Sequence, residues 1–148
     1  MNKAFVREID DGPTQCPRCG GAGVVVQTET LVAQITAESR AAISGAAWFC
    51  PTPTCDVVYF DAFGGVVPRA AFDQPIAGKD LDAPLCPCFG LTRAEVEADV
   101  AENVVTRTKA AVLRAQSSEA RCQTHAPSGQ SCLAAVQGYY LKCKRGEP

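Results

Sequence analysis

The sequence has little histidine, the residue that enzymes use most often for acid–base catalysis. It contains one histidine, one methionine and one tryptophan in 148 residues. The single histidine, His125, has no acidic residue or nucleophile elbow near it in the sequence. A Ser-His-Asp or Cys-His catalytic set is therefore not predicted, and an electron carrier is expected rather than a hydrolase.

The sequence also lacks a large excess of charge of one sign and long apolar runs. The formal net charge is −2, with acidic and basic residues interspersed, so neither nucleic acid nor an anionic membrane surface is predicted as a partner. No run of 18 apolar residues could span a bilayer, and the N-terminus lacks the apolar core of a secretory signal. We expect a cytoplasmic protein without membrane insertion.

Cysteine, in contrast, is abundant. Nine cysteines occur, many of them in short-spaced pairs. In a reducing compartment such pairs are more often metal ligands than disulfides, and an odd number cannot pair completely within one chain. A chain of this length can bury one ordinary core or two small ones, and small cores often depend on metals.

Composition changes along the chain and predicts an α+β protein. The first half is rich in Val, Thr and aromatic residues and predicts a small antiparallel sheet, whereas the second half is rich in Ala, Glu and Arg and turns helical. Thr92 and Glu95 form the T-x-x-E pattern of a helix capping box. We predict a zinc-binding β module at 1–65, a proline-containing linker at 66–84 and a short helical 2Fe-2S module at 85–148. The expected strands lie near 24–28, 47–50 and 57–60, and the expected helices near 92–101, 106–115 and 132–142.

Four cysteines of the first half have the spacing of a structural zinc site. CPRCGG supplies a C-x2-C knuckle and CPTPTC supplies a second turn of the C-x4-C kind. Thiolates from two tight turns can surround one ion tetrahedrally and leave no position open for substrate. The alternatives are mononuclear iron, two disulfides, or thiols that bind nothing. The predicted zinc ligands are Cys16, Cys19, Cys50 and Cys55.

The second half contains a C-x-C pair, Cys86 and Cys88, in the segment LCPCFGLTR. A disulfide across one residue would be strained, so both thiols are expected to face a shared metal centre. A 2Fe-2S cluster fits four thiolates, because the C-x-C pair can hold one iron and more distant cysteines the other. Cys122 and Cys132 are the predicted partners. A second zinc site is the alternative, and His125 could replace one cysteine, as in Rieske centres.

Taken together, these motifs resemble a known family. C-P-x-C-G, F-C-P-x-P-x-C-D-V-V-Y-F, C-P-C-F-G-L-T and P-S-G-Q-S-C-L-A-A-V are similar to the N-terminal region of the two-domain CopZ copper chaperones, over residues 16 to 137. The second half also resembles, more distantly, the helical domain of bacterioferritin-associated ferredoxin. The resemblance implies zinc on the first four cysteines and a 2Fe-2S cluster on Cys86, Cys88, Cys122 and Cys132.

The resemblance also implies a role in copper homeostasis. In this family the cluster domain is thought to supply an electron that reduces Cu(II), so that a following copper-binding domain can carry Cu(I) to a copper-exporting ATPase. The M-x-C-x-x-C copper loop of that following domain does not occur before Pro148, so copper delivery by these residues alone is not expected, and a separate copper chaperone could supply the loop. The alternatives are a structural or sensing metal-binding module without electron transfer, and a zinc-only interaction protein.

Overall fold

The computed structural model describes residues 15–146. Its first half contains a four-stranded antiparallel sheet in which the strands follow one another in chain order. The strands are β1 (Val24–Val26), β2 (Ala47–Phe49), β3 (Val57–Asp61) and β4 (Val66–Pro68). The α+β prediction is confirmed, and β1 to β3 lie where the β-branched and aromatic runs placed them.

The two central strands are buried on both faces, which divides the first half into two cores. Every residue of β2 and β3 is buried. Successive side chains of a strand point to opposite faces, so the paired Phe49 and Tyr59 lie on one face and the paired Trp48 and Phe60 on the other. The first face packs against aliphatic residues that include Leu31, whereas the second packs against cysteines of the first predicted metal site.

The segment at 66–84, for which the sequence predicted a linker, contributes to the sheet and its surroundings. Its first residues form β4, which pairs with β3, and a 3-10 turn follows at Arg69–Ala71. A tight turn at 76–80 then places Gly78, with φ of +93°, against the ring of Phe49. This strand was not predicted because it ends at Pro68 in a proline-containing stretch, a composition that indicates irregular backbone.

The helices of the second half follow the predicted pattern closely. The capping box at the start of α3 (Arg93–Ala101) is present, with the Thr92 side chain and Glu95 each bonding the other's backbone N–H. The next helices are α4 (Thr106–Ala115), α5 (Cys122–His125) and α6 (Leu133–Lys144). Two further helices, α1 (Thr28–Gln34) and α2 (Ala37–Arg40), lie in the first half. The sequence did not predict α1 or α5.

The two halves contact each other through α1 and α5. The Thr30 hydroxyl donates to the carbonyl of Gln123 at 2.5 Å, and the Gln34 side-chain amide donates to the carbonyl of Thr124 at 2.7 Å. The buried Tyr59 hydroxyl also donates to the carbonyl of Pro127. Buried polar groups need such partners, so these bonds fix where α5 begins relative to the sheet. Within the described residues no helix is long and apolar enough to cross a membrane.

Candidate metal centres

The sulfur atoms of four cysteines in the first half converge on one point. The Sγ atoms of Cys16, Cys19, Cys50 and Cys55 all lie within 4.8 Å of one another. Cys16 and Cys55 are 3.8 Å apart and Cys19 and Cys50 are 3.6 Å apart. A tetrahedral ion with metal–sulfur bonds of about 2.3 Å requires sulfur–sulfur distances of about 3.8 Å. The spacing therefore fits a single ion bound by four thiolates.

The knuckle at residues 16–21 is shaped by its glycines. The N–H of Gly20 donates to the carbonyl of Cys16, and Gly20 has φ of +76°, a conformation that glycine adopts without strain. A Cβ on Gly21 would lie 3.4 Å from the sulfur of Cys19. The N–H groups of Arg18 and Gly21 point at the sulfurs of Cys16 and Cys19, each at 3.4 Å. These bonds stabilise thiolates, which is the role that outer contacts have in metal sites.

Three of these four thiols are buried, and the fourth, Cys19, is exposed. Burial raises the pKa of the Cys50 thiol to about 11 and also raises the pKa of Cys55. A hydrogen bond with the Thr52 hydroxyl, helped by the N–H of Gly21, lowers the pKa of Cys19 to about 6. Without a metal, Cys50 and Cys55 are therefore neutral thiols at neutral pH, whereas Cys19 is largely a thiolate.

The four cysteines of the second half also come together, but in a different arrangement. The Sγ atoms of Cys88 and Cys122 are 3.8 Å apart, and the thiol of Cys132 is close enough to that of Cys86 for the two to interact. Among the described residues, only the first-half group has all its ligand atoms within 4.8 Å of one another. The second group thus contains one close pair, Cys88 and Cys122, and lacks the compact four-sulfur arrangement of the first.

The turn that contains the C-x-C pair has the same backbone hydrogen bonds and a positive-φ glycine like the knuckle at residues 16–21. The N–H of Gly90 donates to the carbonyl of Cys86 at 2.7 Å, as that of Gly20 does to Cys16 at 2.9 Å, and Gly90 has φ of +74°. In both turns the N–H of the first cysteine donates to the carbonyl of the residue five positions later, which is Gly21 in the first turn and Leu91 in the second. One turn type therefore presents cysteines at its first and fourth positions in one site and at its first and third positions in the other.

Helix starts place the remaining two cysteines of the second group. Cys122 is the first residue of α5, and Cys132 is the N-cap of α6. Cys86 and Cys132 are buried in the helical core, whereas Cys88 and Cys122 are half-buried. Burial raises the pKa of Cys88 to about 11 and that of Cys132 to about 12, although the backbone N–H of Arg121 acts in the opposite direction on Cys88.

The other two residues that the sequence singled out lie apart from both groups. His125 is exposed, and its Nδ1 contacts the carbonyl of Arg121 and the hydroxyl of Thr124, each at 3.2 Å. Cys143 lies near the end of α6 beside Tyr139, whose hydroxyl bonds to Glu97 at 2.5 Å. Neither residue is part of a cysteine group in the structure.

The sequence did not predict two basic residues beside the first site. Lys79 is buried, and its Nζ donates to the carbonyl of Cys50 at 2.9 Å and to that of Thr52 at 2.7 Å. The Arg69 guanidinium donates to the carbonyls of Cys55 and Pro53. No sequence signal could have identified them, because both come from the segment that composition marks as a linker.

Comparisons with known proteins agree with this arrangement. Residues 13–71 match the family model of a zinc binding domain that carries the CopZ name. The solved N-terminal domain of CopZ from Archaeoglobus fulgidus has the same fold, with a TM-score of 0.61 and 24% sequence identity. The alignment covers 90% of this chain and 98% of that domain. No curated protein sequence matches the chain. The resemblance to the CopZ family is therefore confirmed for the zinc-binding domain over residues 13–71, and the fold of the CopZ N-terminal domain over most of the chain.

Proposed function

We propose that this chain is an iron–sulfur and zinc redox protein of copper homeostasis, in which zinc is structural and a 2Fe-2S cluster is the working centre. The proposed zinc ligands are Cys16, Cys19, Cys50 and Cys55, and the proposed cluster ligands are Cys86, Cys88, Cys122 and Cys132.

Zinc in the first site is supported by the donor set and by the matched domain model. Four thiols within 4.8 Å of one another fit a tetrahedral divalent ion. All four positions are filled by protein, so the ion has no place for a substrate and serves the fold. Its position supports this role, because it links the knuckle before β1 to the turn between β2 and β3.

The observation that carries the cluster proposal is that the second group has one close pair and lacks the compact four-sulfur arrangement of the first. A second zinc ion would require every sulfur to lie about 3.8 Å from every other. A 2Fe-2S cluster instead places two thiolates on each of two irons, so that the two pairs are farther apart. The short distance joins Cys88 to Cys122, which favours Cys88 with Cys122 on one iron and Cys86 with Cys132 on the other.

The surroundings of the two pairs suit a one-electron centre. Cys86 and Cys132 pack among Leu85, Leu91 and Val136, which exclude water from one side. Cys88 and Cys122 are half-buried, so an electron donor or acceptor can approach from their side. The N-terminus of α6, a helix of 12 residues capped by Cys132, favours a negatively charged centre. When bound, a 2Fe-2S cluster supplies one electron, which is what reduction of Cu(II) to Cu(I) requires.

Copper ions are accordingly the proposed substrate, and the protein is proposed to act in the cytoplasm. The Cu(I) product would pass to a copper chaperone domain and then to a copper-exporting ATPase. Under this proposal the protein is an electron carrier, with Cu(II) reduction as the activity that would make it an enzyme.

The test is metal analysis of anaerobically purified protein together with electron paramagnetic resonance of the dithionite-reduced form. We expect about one zinc, two irons and two sulfides per chain, since each group of four cysteines holds one centre. Cys88→Ala should remove iron and the visible absorption and keep zinc. The matched control is Cys143→Ala, which removes a cysteine outside both groups and should keep all three components.

Copper reduction is then measured by mixing the reduced protein with Cu(II) and trapping Cu(I) with a cuprous chelator. One Cu(I) per cluster, absent in Cys88→Ala, supports electron transfer. Iron without Cu(I) would instead support a structural or sensing module. A colourless protein with two zinc ions per chain would refute the cluster.

A further inference from the structure

The segment between the two cysteine groups places one buried lysine against the first group. Lys79 is 4% exposed, although it lies in the stretch that composition marks as a linker. Lysine is rarely buried without a partner, because removing an ammonium group from water costs several kcal/mol. The reason for its position must therefore lie among the groups around its Nζ.

Both hydrogen bonds of that Nζ in the described structure go to backbone carbonyls of the second ligand turn. The acceptors are Cys50 and Thr52, at 2.9 and 2.7 Å. Neither is a carboxylate, and no salt bridge within residues 15–146 includes Lys79. The carbonyls solvate the ammonium but carry no full negative charge, so its charge is only partly compensated.

The neighbouring cation is compensated differently. Arg69 holds the end of the same turn through the carbonyls of Pro53 and Cys55, and its guanidinium forms a salt bridge with Asp80. Asp80 in turn accepts from the N–H of Ile76. Arg69 and Asp80 thus form a neutral pair. Lys79 is the cation beside the turn without a salt bridge of its own; the Asp80 carboxylate attracts it from beyond salt-bridge distance but is already paired with Arg69.

A counter-charge for Lys79 arises when the first site binds a metal. Four thiolates around a divalent ion leave a net charge of −2. The Cys50 carbonyl that accepts from Lys79 belongs to one of these ligands. In a buried environment the attraction between such charges is screened much less than in water.

We propose that Lys79 is a positioning residue of the first metal centre: its ammonium holds the Cys50 and Thr52 carbonyls and supplies positive charge to the metal-bound tetrathiolate. This inference rests on the proposed zinc site. It gives the segment between the two cysteine groups a role in metal retention, because displacement of the turn at 76–80 would remove the ammonium from the site.

Three substitutions separate hydrogen bonding from charge. Lys79→Arg keeps both, Lys79→Gln keeps amide donors without the charge, and Lys79→Met keeps neither at similar length. Zinc affinity of the full chain is measured by competition with a chromophoric chelator. We expect Lys79→Met to bind zinc 10- to 100-fold more weakly, as is typical when a residue that supports metal ligands is removed. Lys79→Gln should be intermediate and Lys79→Arg close to wild type.

The control is Lys109→Met, which removes an exposed lysine of α4 and should leave zinc affinity unchanged. If Lys79→Met does not fold, the comparison of Lys79→Gln with Lys79→Arg decides. Equal zinc affinity in all the variants that fold would overturn the inference. A wild-type chain that binds no zinc at this site would instead refute the proposed zinc centre on which the inference rests.

A second readout reports the charge alone. With iron in place of zinc in the first site, the centre carries −1 when oxidised and −2 when reduced, so a nearby cation favours the reduced form. Loss of the charge in Lys79→Gln should lower the midpoint potential of this iron, and Lys79→Arg should restore it. A role in packing only would leave the potential of Lys79→Gln at the wild-type value, which would also overturn the inference.

Discussion

The first metal site should show a steep dependence of zinc affinity on pH. Burial raises the pKa of Cys50 to about 11 and that of Cys55 above its ordinary range, so both are neutral thiols in the metal-free protein. Zinc binds thiolates, so each of these cysteines must release a proton on binding. Zinc affinity should therefore fall as pH falls, by about tenfold per pH unit for each proton released.

The protons of Cys50 and Cys55 alone give a change of about 100-fold between pH 8 and pH 7, or about 2.7 kcal/mol. Cys19 adds nothing in this range, because its pKa of about 6 leaves it ionised. Below pH 6 it also becomes protonated, and the dependence should steepen further. Above pH 9, buried and exposed thiols predict different results. Exposed thiols, with an ordinary pKa of about 8.5, would already be ionised, so zinc affinity would level off. Cys50 should keep the affinity rising to about pH 10.

The assay is competition with a chelator of known proton dependence, combined with calorimetry in buffers of different ionisation enthalpy, which counts the protons released. Cys55→His is the matched variant, because a neutral imidazole binds zinc without losing a proton near pH 8. It should reduce the release by one proton between pH 7 and pH 8. An affinity that is constant above pH 9, or a release of fewer than two protons at pH 7 by the wild type, would refute the proposed burial of neutral thiols.

Three further outcomes are expected. Gly23→Ala should destabilise the zinc-loaded protein in urea by about 1–3 kcal/mol, because its Cβ would lie 2.5 Å from the Phe60 ring, whereas Gly138→Ala, in open space, should not destabilise it. Asp99→Asn should cost about 2–4 kcal/mol at pH 7. Burial opposes ionisation of Asp99, but its hydrogen bonds with α4 outweigh burial and lower its pKa, so this loss should shrink as pH falls from 5 to 3. Cys143→Ala should leave iron, sulfide and zinc unchanged; loss of iron would show that a cluster ligand was misassigned.

The sequence alone determined which cysteines belong to each of the two groups. Ligand spacing is a local property: C-x2-C, C-x4-C and C-x-C, with their prolines and glycines, encode tight turns whose backbone bonds close within six residues. The capping box at Thr92 and the strands β1 to β3 were readable for the same reason, since they depend on neighbours along the chain.

Only the tertiary structure decided how the thiols pair in the second group. The sequence favoured the two cysteines of the C-x-C turn on one iron, whereas the short distance joins Cys88 to Cys122, 34 residues away. The position of Cys122 depends on α5, a helix of four residues that is too short to leave a period in the sequence. Its place is set by the bonds from Thr30 and Gln34 of α1, more than 85 residues earlier in the chain.

The role of the segment at 66–84 was hidden for a related reason. Prolines and the lack of a sustained period indicate irregular backbone, and they say nothing about what that backbone packs against. The pairing of β4 with β3 and the burial of Lys79 follow only from the folded chain, in which this segment packs against the sheet. A cation that acts through carbonyls 27 and 29 residues away has no spacing motif, because a carbonyl acceptor is present in every residue.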